Sequence, residues 1–270
     1  MPLTEKSQAG FQINYEKIDG ILPATTLFVH GNLASNRWWY PSQDEFKKRA
    51  GGKSLKGSML LAEFRGCGKS TPPRTVEDSD MHVMAQDFIS LLRGLNLGPV
   101  NLVGHSTGGL LAALMLAKAP ELFNKAVLLD SVGARGIKFD NSILAAFEAM
   151  KTDKNLTATV IGSTIHKNNP ESYFFKTVLA EDAFHAVKTV GPWVLKNLDG
   201  LDIRNEIAQI SHPVLVLHGE HDLLLPIADS KELAASLKNG QFKMIEGQGH
   251  CANVENPAKF VEIAAQFLFT

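Results

Sequence analysis

The sequence predicts an α/β protein with a mostly parallel sheet, flanking helices and a helical insertion. Short apolar runs without polar alternation recur along the chain, and such runs are typical of strands buried on both faces of a parallel sheet. Helical periodicities separate most of these runs, which is the order expected of the α/β class. The alternation stops between residues 131 and 212, where amphipathic segments follow one another without a convincing strand.

Each element follows from a local pattern. β-branched and aromatic residues concentrate in seven predicted strands, at residues 11–17, 25–29, 59–64, 100–103, 125–129, 214–217 and 242–245. The spacing of apolar residues predicts helices at 81–95, 110–119, 227–237 and 257–267. Asn256 and Pro257 are a cap and a first-turn residue for the last helix. We therefore predict one core formed by residues 1–130 and 213–270, with a helical cap at 131–212.

The composition predicts a folded protein without a polyanionic partner. The chain has 270 residues, 44% of them hydrophobic, which is enough for a large buried core. Its formal net charge is -1, so no general positive field can hold a phosphate backbone or an anionic bilayer. The most basic stretch, residues 47–56, also contains glycines, and we predict a solvated, mobile face there. We expect neither a nucleic-acid nor a membrane partner.

Cysteine content and the first residues bear on the compartment. Cys67 and Cys251 are too few for a disulfide framework, and they form no metal-binding motif. The amino terminus lacks the basic start and apolar stretch of a secretory signal, and no apolar run is long enough to span a bilayer. We therefore expect a cytoplasmic protein.

The strand at 100–103 runs into Gly104-x-Ser106-x-Gly108 and then into a helix. A serine on such a sharp turn holds its hydroxyl above the sheet, and the flanking glycines relieve the steric crowding. The Thr107 amide then lies at a helix start, where it is free to bind a developing negative charge. We predict Ser106 as a nucleophile, although a serine at this position could also serve only as a helix cap.

A serine hydroxyl needs a base, and that base needs a carboxylate to orient it. Asp222 follows the strand at 214–217, and His250 follows the strand at 242–245. We expect both to converge on Ser106, because the carboxyl ends of parallel strands meet at one edge of a sheet. The strand at 25–29 also runs into His30-Gly31, where glycine lets the backbone direct an amide toward the nucleophile.

These motifs, in this order and together with the glycine-rich segment 64–70, resemble the α/β-hydrolase superfamily. The resemblance implies an α/β-hydrolase sheet and a catalytic triad with Ser106 as nucleophile, His250 as general base and then acid, and Asp222 as the orienting carboxylate. It also implies an oxyanion hole formed by the backbone amides of Asn32 and Thr107. No cofactor and no metal are implied.

Two other kinds of site are disfavoured. The glycine-rich segment is not a phosphate-binding loop, because Glu63 stands where that loop requires glycine. His218, His221 and Asp222 could be drawn as metal ligands, but strand residues alternate faces and the spacing of a zinc motif is absent. We predict His221 to be structural or to face solvent.

The orienting acid and the reaction type leave alternatives open. Asp130, at the end of the 125–129 strand, lies where some members of the superfamily place their carboxylate, whereas Glu220 points away from the face that carries Asp222. Relatives that remove halides use aspartate in place of Ser106. Carbon–carbon hydrolases of ring-cleavage products commonly carry tryptophan after the histidine, where Cys251 stands here. A small-molecule receptor with slow or no turnover is a further alternative.

We expect the substrate pocket to lie between the core and the cap. One of Trp38 and Trp39 should face it, because adjacent side chains diverge, and Arg37 beside them is expected either to bind a substrate carboxylate or to be structural. For any one aromatic residue of the cap, core packing is favoured over a place in the pocket. The candidate pocket residues are His30, Leu33, Trp38, His105, Phe147 and Trp193.

From these observations we expect a carboxylesterase-like serine hydrolase that cleaves an ester, thioester or lactone of a small apolar substrate through an acyl-enzyme. The expected partner is the small-molecule substrate, and the expected state is a monomer or a homodimer.

Overall fold

An eight-stranded sheet forms the centre of the computed structural model, which describes residues 3–6 and 10–270. Its strands are β1 (Leu3–Lys6), β2 (Gln12–Leu22), β3 (Thr26–Val29), β4 (Gly57–Ala62), β5 (Val100–His105), β6 (Phe123–Leu129), β7 (Pro213–Gly219) and β8 (Asn239–Ile245). Their order in the sheet is β1-β2-β4-β3-β5-β6-β7-β8. The β1–β2 and β2–β4 pairs are antiparallel, and every later pair is parallel.

The predicted fold class is confirmed, since all seven predicted strands form in a mostly parallel sheet flanked by helices. Strand β1 was not predicted, because this edge strand is not an apolar run. Strand β4 ends at Ala62, two residues before the predicted end, where the chain turns into the glycine-rich segment. The sheet therefore carries the predicted parallel strands with an antiparallel edge.

The helices outside the insertion are α1 (Tyr40–Ala50), α2 (Met81–Gly94), α3 (Thr107–Lys118), α9 (Ile227–Ser236), α10 (Ala252–Glu255) and α11 (Pro257–Leu268). Asn256 caps α11 as predicted, accepting from the Lys259 amide at 3.1 Å. Helix α1 was not predicted, and it includes the first part of the basic stretch 47–56. Its basic residues lie in its last turn, where positive charge stabilises the carboxyl end of a helix.

Five helices lie between β6 and β7, over the segment predicted as a cap: α4 (Asn141–Met150), α5 (Lys154–Ser163), α6 (Ala180–Thr189), α7 (Gly191–Leu198) and α8 (Arg204–Ile207). A π-helical turn, Phe175–Leu179, precedes α6. Asp140 and Asp153 cap α4 and α5 by accepting backbone amides. Among the described residues, no helix combines the length and the apolar character that crossing a membrane requires.

The buried apolar side chains form two clusters, divided by the alternation of the strands. Leu27 of β3 belongs to one cluster and Phe28 to the other, because neighbouring strand residues point to opposite faces. Val187 of α6 and Val194 of α7 belong to the same cluster as Leu27. The inserted helices therefore share a continuous apolar core with one face of the sheet.

A buried ion pair joins the glycine-rich segment to α2. Arg65 donates from Nε to Asp87 Oδ2 at 2.5 Å and from Nη2 to Oδ1 at 2.8 Å, and both side chains are only 4% exposed. The guanidinium also lies 3.7 Å from the ring centre of Phe11. Removing one partner of a buried pair leaves the other charge without compensation.

We expect Asp87→Ala to lower the free energy of unfolding by about 3–5 kcal/mol, because the buried Arg65 guanidinium then keeps only the more distant carboxylate of Asp78, 3.7 Å from its Nη1. The matched control is Glu121→Ala, which breaks the Arg93–Glu121 pair, whose side chains are 55% and 60% exposed. That change should cost less than about 1 kcal/mol. Urea denaturation of both variants measures the difference, and equal losses would contradict the prediction.

Candidate active site

Ser106 lies at the turn between β5 and α3, with φ 54° and ψ -120°. This backbone conformation is rare for a residue with a side chain, and it is tolerated where the surrounding structure enforces it. A β-carbon on Gly104 would lie 2.3 Å from the carbonyl oxygen of Gly108, and one on Gly108 would lie 2.4 Å from that of His30. Both glycines of the motif are therefore needed for the close approach of β5, α3 and the end of β3.

The loop after β3 passes directly over the nucleophile. A β-carbon on Gly31 would lie 3.0 Å from the Ser106 β-carbon. Within the described part of the chain, the amides of Asn32 and Thr107 donate to no acceptor, so both are free to bind a developing oxyanion. The Asn32 side chain donates to the Gly191 carbonyl at 3.2 Å and so ties this loop to α7.

The structure brings Asp222 and His250 into contact, with His250 Nδ1 2.8 Å from Asp222 Oδ2. The other oxygen, Oδ1, accepts from the amides of Leu224 at 2.7 Å and Leu225 at 3.1 Å. Burial opposes ionisation of Asp222, but the His250 hydrogen bond and these amides outweigh it and lower its pKa below the usual value. Among the described residues the Ser106 hydroxyl forms no hydrogen bond, so its contact with His250 stays a prediction.

Glu255 holds the loop that carries His250, a role that the sequence analysis missed. Its carboxylate accepts from the amides of Gly249 at 2.5 Å and Cys251 at 3.1 Å, on either side of the histidine. It also accepts from the His166 amide of the insertion at 2.9 Å. The only sequence signal is an acidic residue five positions after the histidine, at the end of the short helix α10.

Two further histidines are fixed in the neutral form. Burial, together with the nearby His250, lowers the pKa of His105 to about 3, although its Nε2 lies 2.8 Å from the His250 carbonyl oxygen. Burial also lowers the pKa of His30 to about 4. Neither can supply a positive charge near neutral pH.

The remaining acidic and histidine candidates are placed as follows. Asp130 lies buried beside Asp222 and His250, and each of the three has an oxygen or nitrogen atom within 4.8 Å of the other two. Glu220 accepts from the Gly247 amide at 2.8 Å and does not contact His250. His221 stacks on His166 of the insertion at 4.3 Å between ring centres.

An apolar cavity of about 280 Å³ opens above Ser106 and His250. No Asp, Glu, Lys or Arg occurs among the described residues that line it. Its wall is formed by Asn32, Leu33, Trp38, His105, Thr107, Val132, Ile137, Phe139, Ile143, Ala146, Phe147, Met150, Val160, Ile161, Thr164, Leu195, Leu198, Leu224, Leu225 and Cys251. Leu224 lies two residues after Asp222, and Cys251 directly follows His250. These positions in the sequence could have predicted that both residues line the cavity.

Four of the six candidate pocket residues line this cavity, and two do not. His30 is fully buried behind the site, where its ring stacks on Phe64 at 4.5 Å. Trp193 does not line the cavity either, because α7 presents Leu195 and Leu198 there instead. Assigning His30 and Trp193 to the pocket was therefore wrong.

The two tryptophans and Arg37 are now distinguished. Trp38 faces the cavity, whereas Trp39 is buried in the core against Phe28, at 5.3 Å between ring centres. Arg37 forms an ion pair with Asp182 of α6, which also accepts from Ser35 at 2.6 Å. The guanidinium therefore joins the insertion to the loop after β3 and does not face the cavity.

A parallel sheet with a strained serine after β5, an acid after β7 and a histidine after β8 defines the α/β hydrolases as a class. The model of the alpha/beta hydrolase family matches residues 26–263. The chain belongs to this family.

Individual proteins agree with this assignment. The chain is 27% identical to the AB hydrolase superfamily protein YisY of Bacillus subtilis over 258 residues, which cover 89% of this chain and 90% of the relative. The esterase EaEST from Exiguobacterium antarcticum has a similar fold, with a TM-score of 0.84, 19% identity and 100% of both chains covered. The enol-lactonase from Burkholderia xenovorans LB400 gives a TM-score of 0.84 at 20% identity, covering 99% of this chain and 100% of that one.

We expect the wild type to lose stability relative to His30→Phe at low pH, because unfolding lets His30 bind a proton. Its pKa is about 4 in the fold and 6.5 without the burial, so the unfolded chain binds more protons between these values. The wild type should therefore lose about 2 kcal/mol relative to the variant as the pH falls from about 6.5 to about 5. Urea denaturation at several pH values measures this difference.

The same comparison above about pH 7.5 is the control, because neither folded nor unfolded His30 then binds a proton. A stability difference that stays constant down to about pH 5 would contradict the prediction and show that His30 is protonated in the folded protein.

Proposed function

We propose that this protein is a serine hydrolase that cleaves an ester, thioester or lactone of a small, uncharged and apolar substrate. The observation that carries the proposal is that Ser106, in its strained conformation, opens into the same apolar cavity as His250, which is bound to Asp222. Solved structures with a similar fold include an esterase and an enol-lactonase, which agrees with acyl transfer to water.

The proposed reaction proceeds in two halves. The Ser106 oxygen attacks the acyl carbon while His250 Nε2 takes the hydroxyl proton, and the negative charge on the carbonyl oxygen is bound by the amides of Asn32 and Thr107. The bond to the leaving group then breaks, and His250 returns the proton to it. Water attacks the acyl-enzyme by the same route and releases the acid and free Ser106.

The roles of the acid follow from its contacts. Asp222 holds Nδ1 of His250, which leaves Nε2 as the basic nitrogen toward the cavity. Its ionised form stabilises the imidazolium that develops when the proton leaves Ser106. The low pKa of Asp222 keeps this negative charge available over the whole neutral range.

The wall of the cavity supports an uncharged substrate. Burial raises the pKa of the Cys251 thiol well above its usual value, so this group is a neutral part of the wall. A substrate carboxylate would lose its hydration in the cavity without meeting a positive side chain. The partner that fits is therefore a small apolar molecule, and no metal or organic cofactor has a part in the steps above.

We expect Ser106→Ala to lower kcat/KM for p-nitrophenyl butyrate by about 10⁴-fold or more, because no other group can form the acyl-enzyme. Intact-mass spectrometry with a fluorophosphonate probe should show one adduct on the wild type and none on the variant. Ser236→Ala, at the end of α9 and away from the cavity, is the control and should retain both properties. Unchanged turnover in Ser106→Ala would overturn the proposed function.

The charge preference can be measured with two substrates of similar length. We expect kcat/KM for p-nitrophenyl butyrate to exceed that for mono-p-nitrophenyl succinate by about 100-fold, which corresponds to about 3 kcal/mol of unrecovered desolvation. A thermal-shift measurement with both compounds on Ser106→Ala separates binding from chemistry. Equal rates would show that the substrate carboxylate finds a partner or stays in water. Stabilisation of the wild type by both compounds without turnover would favour a receptor.

A further inference from the structure

Asp130 is a second carboxyl group beside the proposed triad acid, and the reaction described above does not use it. It follows β6 directly, with a positive φ of 42° and a side chain that is completely buried. Its amide donates to the Leu217 carbonyl at 2.9 Å, and its Oδ1 accepts from the Gly219 amide at 2.8 Å. These bonds fix the carboxyl group between β6 and β7.

The second oxygen of Asp130 has no ordinary partner. Oδ2 is buried, and no donor among the described residues reaches it. A buried carboxylate oxygen without a donor is costly, whereas a protonated oxygen needs only an acceptor. An oxygen of the Asp222 carboxylate lies within 4.8 Å of the Asp130 carboxyl group, which makes Asp222 the candidate acceptor.

The hydrogen bonds decide which of the two groups carries the proton. Asp222 accepts from three donors, namely His250 Nδ1 and the amides of Leu224 and Leu225, whereas Asp130 accepts only from the Gly219 amide among the described residues. Hydrogen bonds donated to a carboxyl group favour its ionised form, and two neighbouring buried carboxylates repel each other. These contacts favour the negative charge on Asp222 and the proton on Asp130.

We propose that Asp130 is a positioning residue, a neutral carboxylic acid that donates a hydrogen bond from Oδ2 to the Asp222 carboxylate. The inference rests on the proposed function, because Asp130 acts on the reaction only through Asp222 and His250. The bond fixes the Asp222 carboxylate opposite His250 Nδ1. It also disperses part of the Asp222 charge, so that the imidazolium is stabilised less strongly and returns its proton to the leaving group more readily.

The electrostatics of the site agree with this geometry. Burial raises the pKa of Asp130 well above its usual value, and the charge of Asp222 raises it further. His218 Nδ1 lies 3.5 Å from Asp130 Oδ1, but it is closer to the Ser230 hydroxyl, at 3.0 Å. Burial also lowers the pKa of His218, so it brings no positive charge that would ionise Asp130. The titratable groups around Asp130 are His218, Asp222, His250, Cys251 and Glu255.

The test compares Asp130→Asn with Asp130→Ala. Asparagine keeps a neutral donor for Asp222 and an acceptor for the Gly219 amide, so kcat/KM and the acid limb of its pH profile should stay close to those of the wild type. Alanine removes the donor, so kcat/KM should fall about 10- to 100-fold. The acid limb should also move to higher pH by about half a unit, because the undispersed charge of Asp222 holds the His250 proton more tightly.

The alternative, an ionised Asp130, predicts the opposite for asparagine. Removing a nearby negative charge would lower the acid limb by about one unit, and such a shift in Asp130→Asn would overturn the proposal. A loss in Asp130→Asn as large as that in Asp130→Ala would overturn it as well. Asp229→Asn removes a half-buried carboxylate on α9 that does not contact Asp222, and it should leave rate and profile unchanged.

A proton NMR measurement makes the test independent of turnover and of whether Asp130→Ala folds. The low-field resonance of His250 Nδ1–H, assigned by its loss in His250→Ala, should keep the same chemical shift in the wild type and Asp130→Asn. It should move in Asp130→Ala, if that variant folds, because Asp222 has then lost its donor. If no ester is turned over, the proposed function fails while this resonance still reports on Asp130. A resonance that moves in Asp130→Asn as far as in Asp130→Ala would reject the positioning role.

Discussion

Three stretches of backbone meet around Ser106 with no room for a β-carbon between them. The end of β3, the turn after β5 and the first turn of α3 approach one another at Gly104 and Gly108, and Gly31 passes over the serine itself. This contact forces Ser106 into a backbone conformation that L-residues rarely adopt. The surrounding buried structure stabilises that conformation. The position of the hydroxyl at the cavity and the free amides beside it both follow from this contact.

The acid and the histidine depend on a second backbone contact, between the loops after β7 and β8. The amide of His221 donates to the Gln248 carbonyl at 2.8 Å, and the Glu220 amide donates to that of Ile245 at 3.1 Å. A β-carbon at position 219 would lie 2.0 Å from the carbonyl oxygen of Gly249, so only glycine fits there. Asp222 and His250 are therefore held together by main-chain bonds as well as by their own hydrogen bond, so the pair does not need substrate to form.

The sequence predicted the structure well wherever a pattern of residues has a single physical explanation. Strands β3 to β7 were predictable because burial on both faces leaves few polar residues, and the Asp222–His250 contact was predictable because both residues follow neighbouring parallel strands. Helix α1 was missed because its charged last turn reads equally well as a solvated loop.

The walls of the cavity were harder to predict for a different reason. Apolar residues of the insertion satisfy the same pattern whether they face the core or the cavity, so Phe147 and Trp193 could not be separated. The contact of His30 with Phe64 joins residues far apart in the sequence, and that of Glu255 with the His250 loop depends on backbone geometry alone. Such contacts leave no periodic signal in a single sequence.

The hydrogen bond from Asn32 to the Gly191 carbonyl limits how freely this architecture can be recombined. The amide of Asn32 is the one proposed for the oxyanion hole, and its side chain binds the first turn of α7, so the insertion cannot be exchanged independently of this loop. A chimera carrying the insertion of a relative would need a carbonyl at the same point in space, or the loop over the nucleophile would lose its anchor.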